Sequence, residues 1–307
     1  MSTAEPRYCY RHPDRETGLS CSECGRPICA DCATFAAVGI RCPDHAGARG
    51  GKKARQIRPP RVPRAQGTAL ASGRAPVTKA LIALNVVIYL VTVEQGHAGL
   101  NNPGGSLYNH WLLLGNKVTP QGVYIYGDLA HDHQWYRLVT AMFLHGFLWH
   151  LLVNMYALWI IGSQVEQYLG TVRYLGLYFV SGLAGSAGAV LLTPTQPVVG
   201  ASGAIFGVLG AMMILEWQIT GRLAGQAFTL IVINLVFNFV YNGLGGSISI
   251  GGHIGGLIGG VLVTLGYAHW RGGRAQYGQL GLGGIAGLVA VAAASVAIAY
   301  FKVRGYA

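Results

Sequence analysis

Two polar side chains sit inside sequence apolar enough to cross a membrane. Ser202 lies in Gly200-Ala201-Ser202-Gly203-Ala204-Ile205-Phe206-Gly207, and His253 lies in Gly251-Gly252-His253-Ile254-Gly255-Gly256. Each stretch opens a segment of about twenty residues, the length a bilayer core requires. A polar group at bilayer depth loses its hydration and is tolerated where it meets a partner or a water-filled cavity, so it marks a functional site by default. A serine hydroxyl is a weak nucleophile until a base at about 2.6 to 3.2 Å takes its proton, and neutral histidine is the usual base. His150 and Asn154 add two more polar groups, spaced i, i+4 and therefore on one helix face. Each has an ordinary reading as well: serine among glycines packs helices, and histidine or asparagine bonds neighbouring helices together.

What decides between these readings is where the supporting elements place the four residues. The chain of 307 residues is 52% hydrophobic and 11% charged, with a mean hydropathy of +0.40. Soluble domains carry about 25% charged residues, so an all-α polytopic membrane protein is expected. Apolar runs predict seven spans, near 78–93, 145–162, 171–192, 200–217, 225–242, 248–268 and 281–301. Basic residues precede the first span and recur at Arg173, Arg222, Arg271 and Arg274 on the same side, with Lys117, Arg137, Lys302 and Arg304 dissenting. The positive-inside rule then puts the amino terminus in the cytoplasm and the carboxyl terminus outside. Spans two, four and six all run inward from the outer face, and their first turns carry His150 with Asn154, Ser202, and His253. The four fall in one shallow layer, and the common depth favours a joint role over four separate packing roles.

Span six repeats glycine at Gly252, Gly256 and Gly260, and span four at Gly203 and Gly207. Such small-residue faces allow the close backbone approach that would bring hydroxyl to imidazole. The first turn of span four offers unpaired N–H groups and a positive dipole end to a developing oxyanion, and Asn154 and His150 are further donors. An orienting carboxylate is not evident. Of eleven acidic residues, Glu166 and Glu216 fall near the cytoplasmic helix ends, and only Asp128 and Asp132 in the first outer loop have a route to the site. A Ser-His dyad is expected, with the imidazole held by packing and by aromatics such as Phe206.

At this point the sequence resembles a family. GASGAIFG, the histidine among glycines in GGHIGGLIGG, the His-x-x-x-Asn of HGFLWHLLVN and Trp135-Tyr136-Arg137 together look like a rhomboid intramembrane serine protease, over roughly residues 76–270. The resemblance implies Ser202 as nucleophile, His253 as general base and acid, and Asn154, His150 and the Ser202 N–H as the oxyanion site. It implies a structural role for Glu166 and Gly170 after span two. The loop motif departs from the family's commoner adjacent Trp-Arg, and Gly252 stands where alanine often precedes the histidine. A seventh span after a six-helix core resembles the six-plus-one arrangement of some members.

The first 45 residues hold all six cysteines, in the pairs Cys9-x2-His12, Cys21-x2-Cys24, Cys29-x2-Cys32 and Cys42-x2-His45. Eight ligands at this spacing suit two tetrahedral zinc ions. A disulfide framework is the competing reading, but a cytoplasmic location keeps thiols reduced and disulfides would leave the paired histidines unused. The order of pairs resembles a B-box-type zinc finger. That resemblance implies that Cys9, His12, Cys29 and Cys32 share one ion and Cys21, Cys24, Cys42 and His45 the other. Closed four-ligand sites leave no open position for catalysis, so this module is expected to bind a cytoplasmic protein or to regulate. No apolar leader is expected before it.

The expected organisation is a zinc-binding module (1–45), a basic Pro/Gly-rich linker (46–76), a rhomboid-like six-helix protease core (77–270), and a loop, seventh helix and short tail (271–307). The linker concentrates Arg49, Lys52, Lys53, Arg55, Arg58, Arg61, Arg64 and Arg74. A net charge of +11 gathered there favours an anionic membrane surface over nucleic acid. The expected function is a cofactor-free intramembrane serine endopeptidase that cleaves transmembrane segments near the outer face. The alternative is an inactive relative that binds or escorts membrane proteins. A transporter would place its site at the bilayer midplane between repeated halves, and neither is evident.

Overall fold

The computed structural model describes residues 6–35, 39–46, 75–97, 99–115, 117–118, 124–125, 129, 132–271, 274–276 and 281–304. The chain divides into two compact units, Met1–Gly67 and Thr68–Ala307. The linker expected over 46–76 lies almost wholly outside the described residues, as do Asp128 and the last three residues.

The first unit is too small to build a conventional apolar core. It consists of two antiparallel hairpins, β1 (Tyr8–Cys9) with β2 (His12–Glu16) and β3 (Thr34–Phe35) with β4 (Ile40–Arg41). Its buried residues are Cys9, Cys21, Cys29, Cys32 and Cys42 around Ile28. All six cysteines are free thiols.

The second unit is helical: α1 (Pro76–Gly96), α2 (Gly105–Trp111), α3 (Arg137–Thr140), α4 (Leu148–Ala157), α5 (Ser163–Leu169), α6 (Thr171–Leu192), α7 (Ser202–Thr220), α8 (Gln226–Gly243), α9 (Ile250–Tyr267) and α10 (Leu282–Arg304). Small hairpins interrupt the loops, β5 (Lys117–Val118) with β6 (Tyr124–Ile125) and β7 (His269–Arg271) with β8 (Arg274–Gln276). Seven helices among the described residues are long and apolar enough to cross a membrane, with α4 and α5 joined through a π-helical turn at Leu158–Gly162 as one span. This is a multi-pass helical membrane protein with a six-helix bundle and a seventh helix at its carboxyl end.

The second span runs to Leu169, seven residues beyond its expected end. Ser163, Gln164, Glu166 and Gln167 read as a polar exit from the bilayer, but Glu166 is buried with its oxygens satisfied. Its carboxylate accepts from the Val77 and Thr78 backbone N–H groups at 3.0 and 2.8 Å and from Thr78 Oγ1 at 2.8 Å. These donors form the first turn of α1, where the helix dipole also favours an anion. Gly170, at φ +84°, then turns the chain into α6.

The core of the bundle is α6, α7 and α9. More than half of the central stretch of α6 and α7 is buried, against 17% for α8 and α10, which therefore form the rim. The three core helices meet backbone to backbone. A Cβ added to Gly256 would collide with the Gly203 carbonyl, one on Gly260 with the Gly207 carbonyl, and one on Gly255 with the Ala184 carbonyl. With α6 on one side of α9 and α7 on the other, neither contact can open without disturbing its opposite. In the long first loop, buried Arg137 donates to the carbonyls of Asn109 and Leu112, both at 2.8 Å. It fastens α2 and the loop to the bundle.

We predict that Gly256→Ala lowers stability by about 1 to 3 kcal/mol, the usual range for forcing an extra carbon into a filled core. Gly283→Ala, at a position with open space around it, should have no such effect. Denaturation of both variants in detergent checks this, and equal midpoints would show that the glycine seam does not limit stability.

Candidate active site and metal centres

Ser202 is the first residue of α7, and its approach is set by the segment before it. Val198 and Leu113 bond each other as an isolated β-bridge, and the Gly200 N–H donates to the Ala141 carbonyl at 2.9 Å. Gly200 has φ +130°, a conformation that disfavours any Cβ. A Cβ there would also stand 2.8 Å from His150 Nε2 and 3.7 Å from Ser202 Oγ. The His150 ring and the Ser202 hydroxyl thus flank one small volume that only glycine leaves empty.

His253 lies in the first turn of α9, whose amino end is capped by Ser249 Oγ accepting from the Gly252 N–H at 3.1 Å. Its Nε2 is 2.8 Å from Ser202 Oγ, within the reach that serine activation needs. Phe206, one turn beyond Ser202, stacks on the imidazole with centroids 4.2 Å apart and planes 10° from parallel. The ring is 6% exposed. The glycine seam between α7 and α9 sets this geometry, because it fixes how closely the two helix axes approach.

On α4, the Gly146 N–H lies 3.5 Å from His150 Nδ1, which leaves Nε2 to carry a proton toward the flanked volume. His145 packs edge-on against the same ring, centroids 5.0 Å apart. Asn154, one turn further along, is buried, and its Nδ2 has no partner among the described residues. Buried donors are almost always paired in folded proteins. An unpaired amide and an available Nε2–H on one helix face beside a serine suit a transient anion.

The acidic residues go elsewhere. Glu166 serves α1, and Glu216 accepts from the Ala227 N–H at 3.1 Å. Asp132 is exposed. The group on His253 Nδ1 is instead Asn238 of α8, with Nδ2 at 2.6 Å. Sequence reasoning missed it. The available signal was a polar side chain in an apolar helix, but Asn234 and Asn242 give the same signal and serve the backbone around Leu230 and Ile248.

In the first unit the eight Cys and His ligands fall into two groups of four, Cys9, His12, Cys29, Cys32 and Cys21, Cys24, Cys42, His45, with the ligand atoms of each within 4.8 Å of one another. Burial pushes the Cys9 thiol up, but the backbone N–H groups of Cys29 and Arg11 and the His12 ring outweigh it and hold the group near 6. Cys21 is likewise held near 6, against burial, by the N–H groups of Cys42, Glu23 and Cys24. Burial, and then the neighbouring Cys29 and Cys9, push Cys32 up to about 11. Thiolates crowded so closely oppose further ionisation, which a divalent cation at the centre of each group would reverse. The donor sets, three cysteines and one histidine each, fit a structural metal ion.

The family model described as the rhomboid domain matches residues 132–270, a stretch that includes His150, Asn154, Ser202, Asn238 and His253. Rhomboid protease GluP of Bacillus subtilis (strain 168) is 31% identical over 169 residues, 53% of this chain and 30% of that protein. RHOMBOID-like protein 1 of Arabidopsis thaliana is 41% identical over 108 residues, 34% of this chain and 28% of the relative. Inactive RHOMBOID-like protein 8 of the same plant is 28% identical over 180 residues, half of each chain. The chain thus spans half or less of the length of these relatives. Residues 132–270, which hold the serine, both facing histidines and the unpaired asparagine, are thus similar to the rhomboid domain.

Proposed function

We propose that this chain is an intramembrane serine endopeptidase acting through Ser202 and His253. The observation that carries the reading is the 2.8 Å contact between Ser202 Oγ and His253 Nε2 in a stretch similar to the rhomboid domain. Ser202 Oγ attacks the scissile carbonyl carbon while His253 Nε2 takes the hydroxyl proton. The carbonyl oxygen becomes an oxyanion held by the Ser202 N–H, Asn154 Nδ2 and His150 Nε2–H, donors in place before the charge develops. As the C–N bond breaks, His253 returns the proton to the leaving amine. Water, deprotonated by the same imidazole, then attacks the acyl ester, and collapse of the second tetrahedral intermediate frees the new carboxyl end and restores the serine proton. No metal or cofactor enters this sequence.

The substrate is another protein's transmembrane segment, entering from the bilayer and cut near the outer face, where helix-destabilising residues let it unwind. The orientation follows from the basic loops: amino terminus and metal-binding unit in the cytoplasm, carboxyl terminus outside, in the cell membrane. Each Cys3His group holds a structural zinc ion, and the folded unit binds a cytoplasmic protein. A second reading, an inactive binding protein, is favoured by the likeness to inactive RHOMBOID-like protein 8. What supports the enzyme is that serine and histidine are both retained and in contact.

Ser202→Ala and His253→Ala should each abolish cleavage of a model transmembrane substrate, with the double variant no worse than either, since the pair acts as one unit. Asn154→Ala should cost about 10²- to 10³-fold in rate and leave residual turnover. Native-rate cleavage by folded Ser202→Ala would leave the binding protein as the reading. Elemental analysis of the purified chain should find two zinc ions, and chelation should expose its cysteines to thiol reagents; less than one ion per chain overturns the zinc assignment. In intact cells, a cysteine introduced as Ala65→Cys should resist an impermeant thiol reagent and one introduced as Gly305→Cys should react. The inverse pattern reverses the orientation.

A further inference from the structure

The imidazole of His253 is held on three sides, and only two belong to the dyad and its packing. Ser202 meets Nε2, Phe206 covers the ring face, and Asn238 reaches Nδ1 at 2.6 Å. Asn238 comes from a helix that buries little. The buried residues of α8 are Ala227, Ile231 and Asn238, while its neighbours Val236, Phe237, Phe239 and Val240 are all more than half exposed. A rim helix with so few inward contacts places one of them on the ring nitrogen opposite the serine.

Which atom of the amide faces Nδ1 fixes what Nε2 can do. With Nδ2–H donating, Nδ1 is bare, the ring proton sits on Nε2, and Nε2–H donates to Ser202 Oγ; that tautomer cannot accept the serine proton. A half-turn of the amide puts Oδ1 in the same place, where it accepts from Nδ1–H. Nε2 is then bare and faces the hydroxyl. The amide's two ends are nearly equal in shape, and the hydrogen-bond network decides between them. After proton transfer both ring nitrogens carry hydrogen, and only the Oδ1 arrangement gives each an acceptor. In soluble serine proteases a carboxylate fills this role, holding the tautomer and orientation of the base. Among the described residues no carboxylate is bonded to His253.

We propose that Asn238 is a positioning residue that completes a Ser202–His253–Asn238 relay, its Oδ1 accepting from Nδ1–H. This deepens the protease reading and rests on it.

The test uses the full chain in proteoliposomes with a transmembrane substrate and a fluorophosphonate probe. Asn238→Leu, close in shape and unable to accept, should lower kcat about 10- to 100-fold, the range for a lost hydrogen bond to a charged partner, with KM unchanged. Probe labelling of Ser202 should slow by the same factor. Asn238→Asp, which can only accept when ionised, should recover most of both rates. A folded Asn238→Leu variant with native kcat, or with raised KM and native kcat, overturns the inference and leaves the protease intact. If Asn238→Leu does not fold, Asn238→Asp decides: near-native labelling supports the relay, and a folded but unreactive variant overturns it. A native chain inert to both substrate and probe overturns the protease reading and the relay with it.

Discussion

The approach of α7 to α9 is the constraint on which the rest of the membrane unit depends. A hydroxyl on one helix can meet an imidazole on the next only if the backbones come closer than ordinary side chains allow, and Gly203, Gly207, Gly256 and Gly260 permit that approach. In lipid, association between helices comes from such packing rather than from a hydrophobic drive. The seam therefore holds the bundle together and sets the site's geometry at once. The opposite face of α9 is as tightly seated against α6, so the histidine has no slack in either direction.

Polarity within the bilayer is placed with the same economy. Glu166 is the one buried carboxylate among the described residues, and it is matched by three donors at the start of α1. Around the imidazole the partners are a hydroxyl, an aromatic face and an amide, all neutral. A carboxylate on Nδ1 would orient the ring as well, but it would bury a charge beside an imidazole that is neutral at rest, at a cost of several kcal/mol. The amide supplies the acceptor without that penalty.

The legible part of the sequence was the set of residues that violate their surroundings. Ser202, His253, His150 and Asn154 stood out because apolar segments otherwise exclude them, and the cysteine pairs stood out by spacing. Span positions followed from hydropathy, except where Glu166 and its polar neighbours made the last helical stretch of span two look like an exit from the bilayer; the donors that satisfy Glu166 come from residues 77 and 78, far away in the chain. Asn238 was illegible for a related reason. Three asparagines recur at i, i+4 on α8, and nothing local distinguishes the one facing His253 from the two that serve their own helix and the turn after it. What hydropathy could not supply was a helix's partner at each depth.

The split between a tight core of α6, α7 and α9 and the rim helix α8, which buries only Ala227, Ile231 and Asn238, bears on how the protein meets bilayers of different thickness. A mismatch between a protein's apolar band and the surrounding lipid is relieved by tilting or sliding helices, at fractions of a kcal/mol per Å. The glycine-locked helices resist such adjustment, so the rim takes it up. Thickness would then reach the serine and histidine through Asn238, whose amide is hydrogen-bonded to His253 from the adjustable rim.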